Sequence, residues 1–443
     1  MSVDANERGV WSSKLGFILA GAGSAVGLGN IWRFPTTTGK YGGAAFVLVY
    51  LLSVGLICLA VMLAELSLGR NVQRNPVGVY KGLAPGTPWK WLGLLGVITG
   101  WGISAFYSVI AGWTLGYIYK TTSGEFVGQS PESIAQIFNN FISNPVLVIG
   151  CHAIFMFITM LILFGGVKAG IEKWSKILMP LLIVILLLVV ARALTLPGAE
   201  KGLEFYLKPD FSKISGEGVV AAMGQAFFSL SLGMGTMVTY GSYLSKKDNL
   251  VSSAIWVASL DTAIAIMAGF AIMPAIYAFD LDPTSGPGLI FVVLPNVFNA
   301  IPGGALFGTG FFVLLAIAAV TSLISIVEVP AAYFIDEMKM SRKKAVMIAG
   351  IGAFVAGIPA AISLQFLGLM DTMFGQYSLI IGSLGVAIFV GWKWGISNVN
   401  AELQEGNPNF SGQKVYGFFI RFVTPIAVTA LLICRIMFPN AFS

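Results

Sequence analysis

Charge is what this sequence has least of. Only 10% of its 443 residues are Asp, Glu, Lys or Arg, while 56% are hydrophobic. A water-soluble globule of that length needs far more charge on its surface, so the composition is that of a polytopic membrane protein. Histidine and cysteine are scarce too. The one histidine, His152, stands in an apolar run, where a hydrogen-bonded core role outweighs a functional one. Cys58, Cys151 and Cys434 all lie in apolar runs; an odd number without paired spacing indicates neither a disulfide framework nor a metal cluster. The net charge of +6 does not point to nucleic acid, because so slight a surplus on so few charges fits the positive-inside bias of membrane proteins. Residues 1–13 carry Asp4, Glu7 and Arg8 without an apolar core, so the expectation is a cytoplasmic segment with no cleavable leader, the first span acting as its own insertion signal.

Apolar runs able to cross about 30 Å of hydrocarbon need roughly 20 residues each. Eleven qualify, at 14–39, 43–70, 90–121, 145–165, 169–195, 216–243, 249–279, 305–336, 343–358, 366–392 and 415–438. An odd number puts the termini on opposite faces. With a cytoplasmic N-terminus, the lysines and arginines of 70–90, 168–176, 246–247, 339–344 and 393–414 all fall at cytoplasmic ends, and the inverted arrangement fails that test. The expected topology in the cell inner (plasma) membrane is therefore N-terminus in, C-terminus out. Loops 71–89 and 393–414 read as irregular. The longer outer connections are 196–215 and 280–303, the second with Pro283, Pro287, Pro295 and Pro302. Its length fits either a lid that folds back or an inert surface hairpin.

Two spans are built to break. The first contains GAGSAVGLGNIWRFP at 21–35, where glycines weaken the helix and Asn30 and Arg33 follow within one turn, at a depth where lipid tolerates neither. The sixth contains GQAFFSLSLGMG at 224–235, with Ser229 and Ser231 ahead of Gly233 and Gly235. Irregular backbone at membrane depth survives only where it lines a cavity or is buried in protein. Breaks at corresponding places in two sets of five spans are the pattern of inverted-repeat transporters, which bind substrate and coupling ion at the midplane. The expected organisation is 1–13 as a cytoplasmic segment, 14–195 and 196–392 as two five-helix repeats, and 393–443 as a cytoplasmic loop and an eleventh helix outside the repeat.

The order of the motifs strengthens that reading. RxxW at Arg8–Trp11, GSAVGLGNIWRFP at 23–35, GGAAF at 42–46, AELSLGR at 64–70, GWTLGY at 112–117, GQAFFSLSLGMG at 224–235 and AVTS at 319–322 together resemble the neurotransmitter:sodium symporter family. They look most like its bacterial members that carry hydrophobic amino acids. The resemblance spans essentially the whole chain and implies the all-α LeuT fold, a 5+5 inverted repeat with broken first and sixth helices plus an eleventh.

Sodium needs hard oxygen ligands: carbonyls freed by unwinding, hydroxyls, amides or carboxylates. The resemblance implies a first sodium held by the Ala25 carbonyl, Asn30, Ser229, Asp261 and the carboxylate of the substrate. It implies a second held by the carbonyls of Gly23, Val26 and Ala318 with the hydroxyls of Thr321 and Ser322. A lone Ser or Thr in a membrane helix more often bonds its own backbone; two adjacent hydroxyls facing a broken helix weigh against that here. Asp261 departs from a common family pattern of asparagine, and Ala265 stands one turn away where an acid or chloride would supply charge in relatives. Asp261 is therefore expected to act as fixed counter-charge, without chloride.

Glycine at 27, where amine carriers of the family have aspartate, leaves room for a substrate carboxylate, so an α-amino acid is implied. Tyr107 would bond that carboxylate. The site is assigned to Ala25, Gly27, Leu28, Gly29, Ile103, Tyr107, Phe228, Ser229, Ser231, Leu232, Met234, Ser322 and Ile326. Its side-chain pocket (Ile103, Phe228, Ser231, Met234, Ser322, Ile326) holds no charge, so Leu, Phe, Tyr or Trp fits and a charged side chain would be unpaired. Arg33 and Asp371 resemble the extracellular gate; Arg8, Trp11, Tyr243 and Asp336 the intracellular one. Glu65 and Gln225 are expected to bond the unwound backbone. Gly170 and Pro180 mark where the fifth span either unwinds for ion release or is merely kinked.

The expected activity is sodium-coupled import of a hydrophobic L-amino acid by alternating access in the lipid bilayer. A monomer suffices, and two Na+ are coupling ions, with no organic cofactor. No nucleophile, base and orienting group share a depth, so an enzyme is disfavoured. The rival reading is a ligand-gated channel or membrane sensor using the same pocket.

Overall fold

The computed structural model describes residues 9–281 and 288–437, which contain helices and no strand. Arg8, Pro283 and Pro287 lie outside them. Nine described helices are long and apolar enough to cross a membrane: Ala44–Val72, Lys90–Thr122, Pro145–Phe164, Gly166–Leu194, Leu250–Ala278, Gly304–Met338, Arg342–Ile362, Leu364–Trp394 and Gln413–Met437. Two interrupted spans complete the expected eleven. The first is Lys14–Ala25 and Gly29–Lys40, bent by 54°; the sixth is Gly216–Ser229 and Thr236–Gly241. The protein is thus a multi-pass membrane protein.

Local chemistry sets where these helices begin. Ser13, Asn144, Ser215 and Asn249 each accept a hydrogen bond from the backbone N–H three residues on, satisfying a donor that the first turn would otherwise leave open. The eighth span is the most enclosed, with 83% of its apolar window buried, whereas the fifth and eleventh are only 28% buried and form the outer wall. Side chains such as Phe17, Val61, Ala111 and Leu323 close the interior without exposure.

Two connections depart from expectation, and a third decides between its two readings. The 71–89 segment is helical over Pro76–Leu83, because Asn75 caps it and Pro76 occupies its first turn. The 393–414 segment is helical over Ile396–Glu405, in a stretch too short to show periodicity but with Val399 and Leu403 buried one turn apart. Over its described residues 288–303, the 280–303 connection is not a surface hairpin. It folds inward through Leu289–Val293 and Leu294–Ala300, where Phe291 meets the rings of Tyr117 at 4.9 Å and Trp113 at 5.5 Å and its carbonyl accepts from the Tyr117 hydroxyl at 2.8 Å.

One of the unexpected helices fastens three elements. Glu402 is buried and receives Arg70 Nε at 2.6 Å, Asn71 Nδ2 at 2.9 Å and Lys246 Nζ at 2.6 Å. Arg70, itself fully buried, also donates to the Glu402 and Asp248 carbonyls. Burial alone would raise the Glu402 carboxyl, but its bonds to Lys246, Asn71 and Arg70 hold it below the ordinary value. A depressed carboxyl stabilises the fold above its unfolded pKa, about 4.3, and that stability is lost as pH falls through the folded value. Thermal melts of detergent-solubilised protein across pH 3–7 should therefore show an acid-side loss that Glu402→Gln flattens. An unchanged acid limb in the variant would contradict the account.

Candidate functional site

The two interruptions face each other inside the bundle. After Ala25 the backbone leaves the helix at Val26 (φ −71°, ψ 111°). In the sixth span Ser231, Gly233 and Gly235 adopt φ of 54°, 82° and 77°, the left-handed region that stops a helix and favours glycine. Both breaks are propped from neighbouring helices. Gln225 Nε2 donates to the Gly29 carbonyl at 2.8 Å, and Glu65 Oε1 accepts from the Gly233 N–H at 2.7 Å, as expected of these two residues.

Beside the breaks lies a closed polar cluster. Asn30 Nδ2 donates to Asp261 Oδ1 at 2.7 Å, to the Asp261 carbonyl at 3.2 Å and to Ser229 Oγ at 3.1 Å. Ser229 Oγ donates in turn to Asp261 Oδ2 at 2.8 Å, and Asn30 Oδ1 accepts from the Gly27 N–H at 3.0 Å. Sequence reasoning missed Tyr50, whose hydroxyl reaches Asp261 Oδ2 at 3.4 Å and Ser229 Oγ at 3.3 Å. Nothing but a lone phenol in an apolar run could have flagged it. Asp261 is fully buried, and among the described residues its partners are all neutral. A buried carboxylate without a cation is costly.

The other proposed ion ligands lie where the first span meets the eighth. Gly23 packs so closely on Thr321 that an added Cβ would lie 3.2 Å from Thr321 Cβ. Ser322 Oγ donates to the Ser24 carbonyl at 2.8 Å. Thr321 Oγ1 is turned back to its own helix, at 3.1 Å from the carbonyls of Ile317 and Ala318, the backbone-bonding habit of hydroxyls in helices.

Ala25, Gly27, Gly29, Ile103, Tyr107, Phe228, Ser231, Met234, Ser322 and Ile326 line one small cavity of about 20 Å³, together with Leu379, which the sequence reading did not include. Tyr107 Oη accepts from the Leu28 N–H at 3.0 Å. Leu28 borders the larger space outside, and Leu232 lines neither space. Beyond Phe228 that space opens into a vestibule of about 510 Å³ lined by Trp32, Arg33, Tyr107, Phe228, Asp371 and Arg435 among others.

The sequence profile of the Sodium:neurotransmitter symporter family matches residues 8–137 and 132–442. A sodium-dependent transporter of Bacillus subtilis is 38% identical over 94% of this chain and 95% of its own length. One from Haemophilus influenzae is 35% identical over 98% and 100%. The crystal structure of MhsT in complex with L-phenylalanine superposes with a TM-score of 0.89 at 45% identity, covering 96% of this chain and 99% of that one. This chain belongs to the sodium:neurotransmitter symporter family. It is a sodium-dependent symporter with the LeuT fold, not an enzyme.

The symporter's two mouths differ. On the vestibule side Arg33 and Asp371 form no ion pair within 4 Å among the described residues. The Arg33 guanidinium stacks 4.6 Å above the Phe228 ring, and Asp371 Oδ2 accepts from Gln376 Nε2 at 2.6 Å. The charge pair expected there is thus not closed, each member being held by a neutral neighbour. The opposite mouth is sealed. Trp11 donates its indole N–H to the Tyr240 carbonyl at 3.1 Å and its backbone N–H to Tyr243 at 3.3 Å. The Tyr243 hydroxyl reaches Glu328 at 2.7 Å, and Arg342 grips the same carboxylate at 2.9 and 2.7 Å. Asp336 accepts from Asn75 N at 2.7 Å and Nδ2 at 3.1 Å; its expected partner Arg8 is outside the described residues. Glu172 fixes the start of the first span, accepting from Ser12 N at 2.7 Å, Ser13 Oγ at 3.1 Å and Lys176 at 2.6 Å. Glu328, Arg342, Asn75 and Glu172 went unrecognised as closing this mouth, since their partners lie in other elements, most of them far away in sequence. Gly170 lies in a wound π-helical turn, Gly166–Glu172, and Pro180 inside the helix that follows.

Gly233 offers a sharp test of the break. A Cβ there would stand 2.6 Å from Ser383 Oγ and 2.9 Å from Ser383 N, at φ 82°. Gly224, at ordinary φ, has nothing within 4 Å. Gly233→Ala should lower the melting temperature, by a strain of about 1–3 kcal/mol, and abolish substrate-dependent stabilisation, whereas Gly224→Ala should leave both near wild type. Equal behaviour of the two variants would refute the role of the break.

Proposed function

We propose that the symporter imports hydrophobic L-amino acids, with tryptophan, leucine, phenylalanine and tyrosine as the class of substrate, together with two sodium ions, by alternating access and without chloride. The observation that carries this reading is the Asp261 carboxylate, buried among neutral donors from the first, second and sixth spans. A monovalent cation is the missing partner that such a carboxylate requires. In this reading Asn30, Ser229 and the Ala25 carbonyl are its further oxygen ligands, which requires Asn30 Oδ1 to leave the Gly27 N–H, and the substrate carboxylate completes the set at Gly27, where a Cβ would meet Ser322 Oγ at 2.9 Å and the Tyr107 hydroxyl more closely still. Ion and amino acid then bind as one unit. The second ion draws on Gly23, Val26, Ala318, Thr321 and Ser322, and binding it requires Thr321 Oγ1 to leave its own helix.

The uncharged lining of Ile103, Phe228, Met234 and Ile326 favours an apolar side chain, and the L-phenylalanine named for MhsT supports the class. The cavity of about 20 Å³ is smaller than any such side chain, so entry requires the Phe228 ring to swing off Gly29, which a Cβ would crowd at 2.9 Å. Arg33 on the outer face of that ring makes vestibule and pocket one device. With the N-terminus cytoplasmic, the Arg33 mouth is extracellular, the two repeats at 14–195 and 196–392 supply the moving parts, and unwinding between Gly170 and Pro180 releases the second ion inward. A monomer contains the whole site.

Uptake of labelled tryptophan and leucine into proteoliposomes under an imposed sodium gradient tests this directly. Saturable, sodium-stoichiometric uptake is expected, unchanged when gluconate replaces chloride. Asp261→Asn should cost about tenfold or more, the worth of one charge-assisted contact. Flux that does not saturate would favour the channel reading, and loss of uptake in gluconate would exclude Asp261 as the substitute for the anion. Pro180→Ala should slow turnover at unchanged substrate affinity; unchanged turnover would remove the hinge.

A further inference from the structure

We infer that the paired ends of the tenth and eleventh spans form a binding site for the headgroup of one anionic phospholipid, centred on Arg421. The residue is exposed on the outer surface of the eleventh span, eight residues past its start at Gln413, or about 12 Å along a helix. Its guanidinium lies 4.5 Å from the Trp392 ring and 5.8 Å from Phe422. Trp392 and Phe422 meet at 5.9 Å, as do Phe422 and Phe418. These three rings are themselves 44–56% exposed, so they form a surface cradle and not part of the core.

The two helices are brought together for this contact. Each carries a π-helical turn at this level, Phe389–Trp394 and Phe419–Val423, and a Cβ on Gly391 would stand 3.2 Å from Arg421 Cα. Neither stretch contains an acid: 389–394 reads FVGWKW and 413–423 reads QKVYGFFIRFV. Among the described residues Arg421 has no ion pair or hydrogen bond, only its ring contacts.

A charge at the edge of the hydrocarbon needs a counter-charge or a route to water. The ring contacts satisfy none of the guanidinium's five N–H donors. A phosphate diester matches those donors by accepting two bonds at once. Lys393 adjoins Trp392, and Lys414 lies seven residues before Arg421 on the same helix face; both are exposed. Two further cations repel a choline head and attract a net-negative one, while the tryptophan takes the interfacial position such rings prefer. The site is far from the ion and substrate pocket and does not rest on its assignment.

Native mass spectrometry of the purified full chain with dilute phosphatidylglycerol or phosphatidylcholine tests the inference. Wild type should retain one phosphatidylglycerol in preference to phosphatidylcholine. Arg421→Gln should weaken that retention about tenfold, the worth of a charge-assisted pair, and Trp392→Leu, which keeps the charge and loses the stack, should weaken it less. Sodium-dependent uptake by both variants reports that they fold, and if Arg421→Gln does not, Trp392→Leu decides alone. Equal retention of the two lipids by wild type, or wild-type retention by the folded variants, would overturn the site.

Discussion

The structure depends on one electrostatic constraint: a carboxylate, Asp261, held at the centre of an apolar bundle without a basic side chain beside it. Removing such a charge from water costs several kcal/mol, roughly, unless a cation and good hydrogen bonds compensate. The protein supplies the hydrogen bonds itself, from Asn30, Ser229 and Tyr50. A sodium-dependent symporter has an evident source for the cation. On the proposed reading, the ion supplies the counter-charge that these neutral donors do not.

Everything around the carboxylate serves to keep peptide oxygens available near it. Helices ordinarily consume their own carbonyls, so the two spans must stop and restart, and their free groups must be held in place. Glu65 and Gln225 hold one break each, while the left-handed turns at Ser231, Gly233 and Gly235 set the path of the sixth span. The asymmetry of the mouths follows the same economy of contacts. At the vestibule, neutral partners engage Arg33 and Asp371 separately. At the sealed side the Trp11 bonds and the Glu172 cluster hold the start of the first span, and the Glu328–Arg342 pair holds Tyr243 beside them.

Much of this was legible in the sequence because membrane depth makes polar and flexible residues conspicuous. Span positions and both breaks follow from apolar length and glycine placement, and ten of the residues assigned to substrate line one cavity. What escaped has physical causes. The Pro76–Leu83 and Ile396–Glu405 helices are too short for a periodic signal and are fixed by caps and tertiary bonds. Tyr50 and Leu379 look like ordinary core residues until the fold brings them beside Asp261 and Phe228. The Arg33–Asp371 pair is not formed because Phe228 and Gln376 engage the two side chains instead, and Leu232 lies off the cavity because a broken segment does not keep helical facing from one residue to the next.

The central claim is that sodium and the amino acid complete one buried ligand set. Equilibrium binding of labelled L-phenylalanine to the detergent-purified symporter, titrated with sodium against potassium at constant ionic strength, tests it most directly. Linkage requires sodium to tighten phenylalanine by the same factor that phenylalanine tightens sodium. The account predicts a large reciprocal factor, and phenylalanine binding that is indifferent to replacement of sodium by potassium would contradict it.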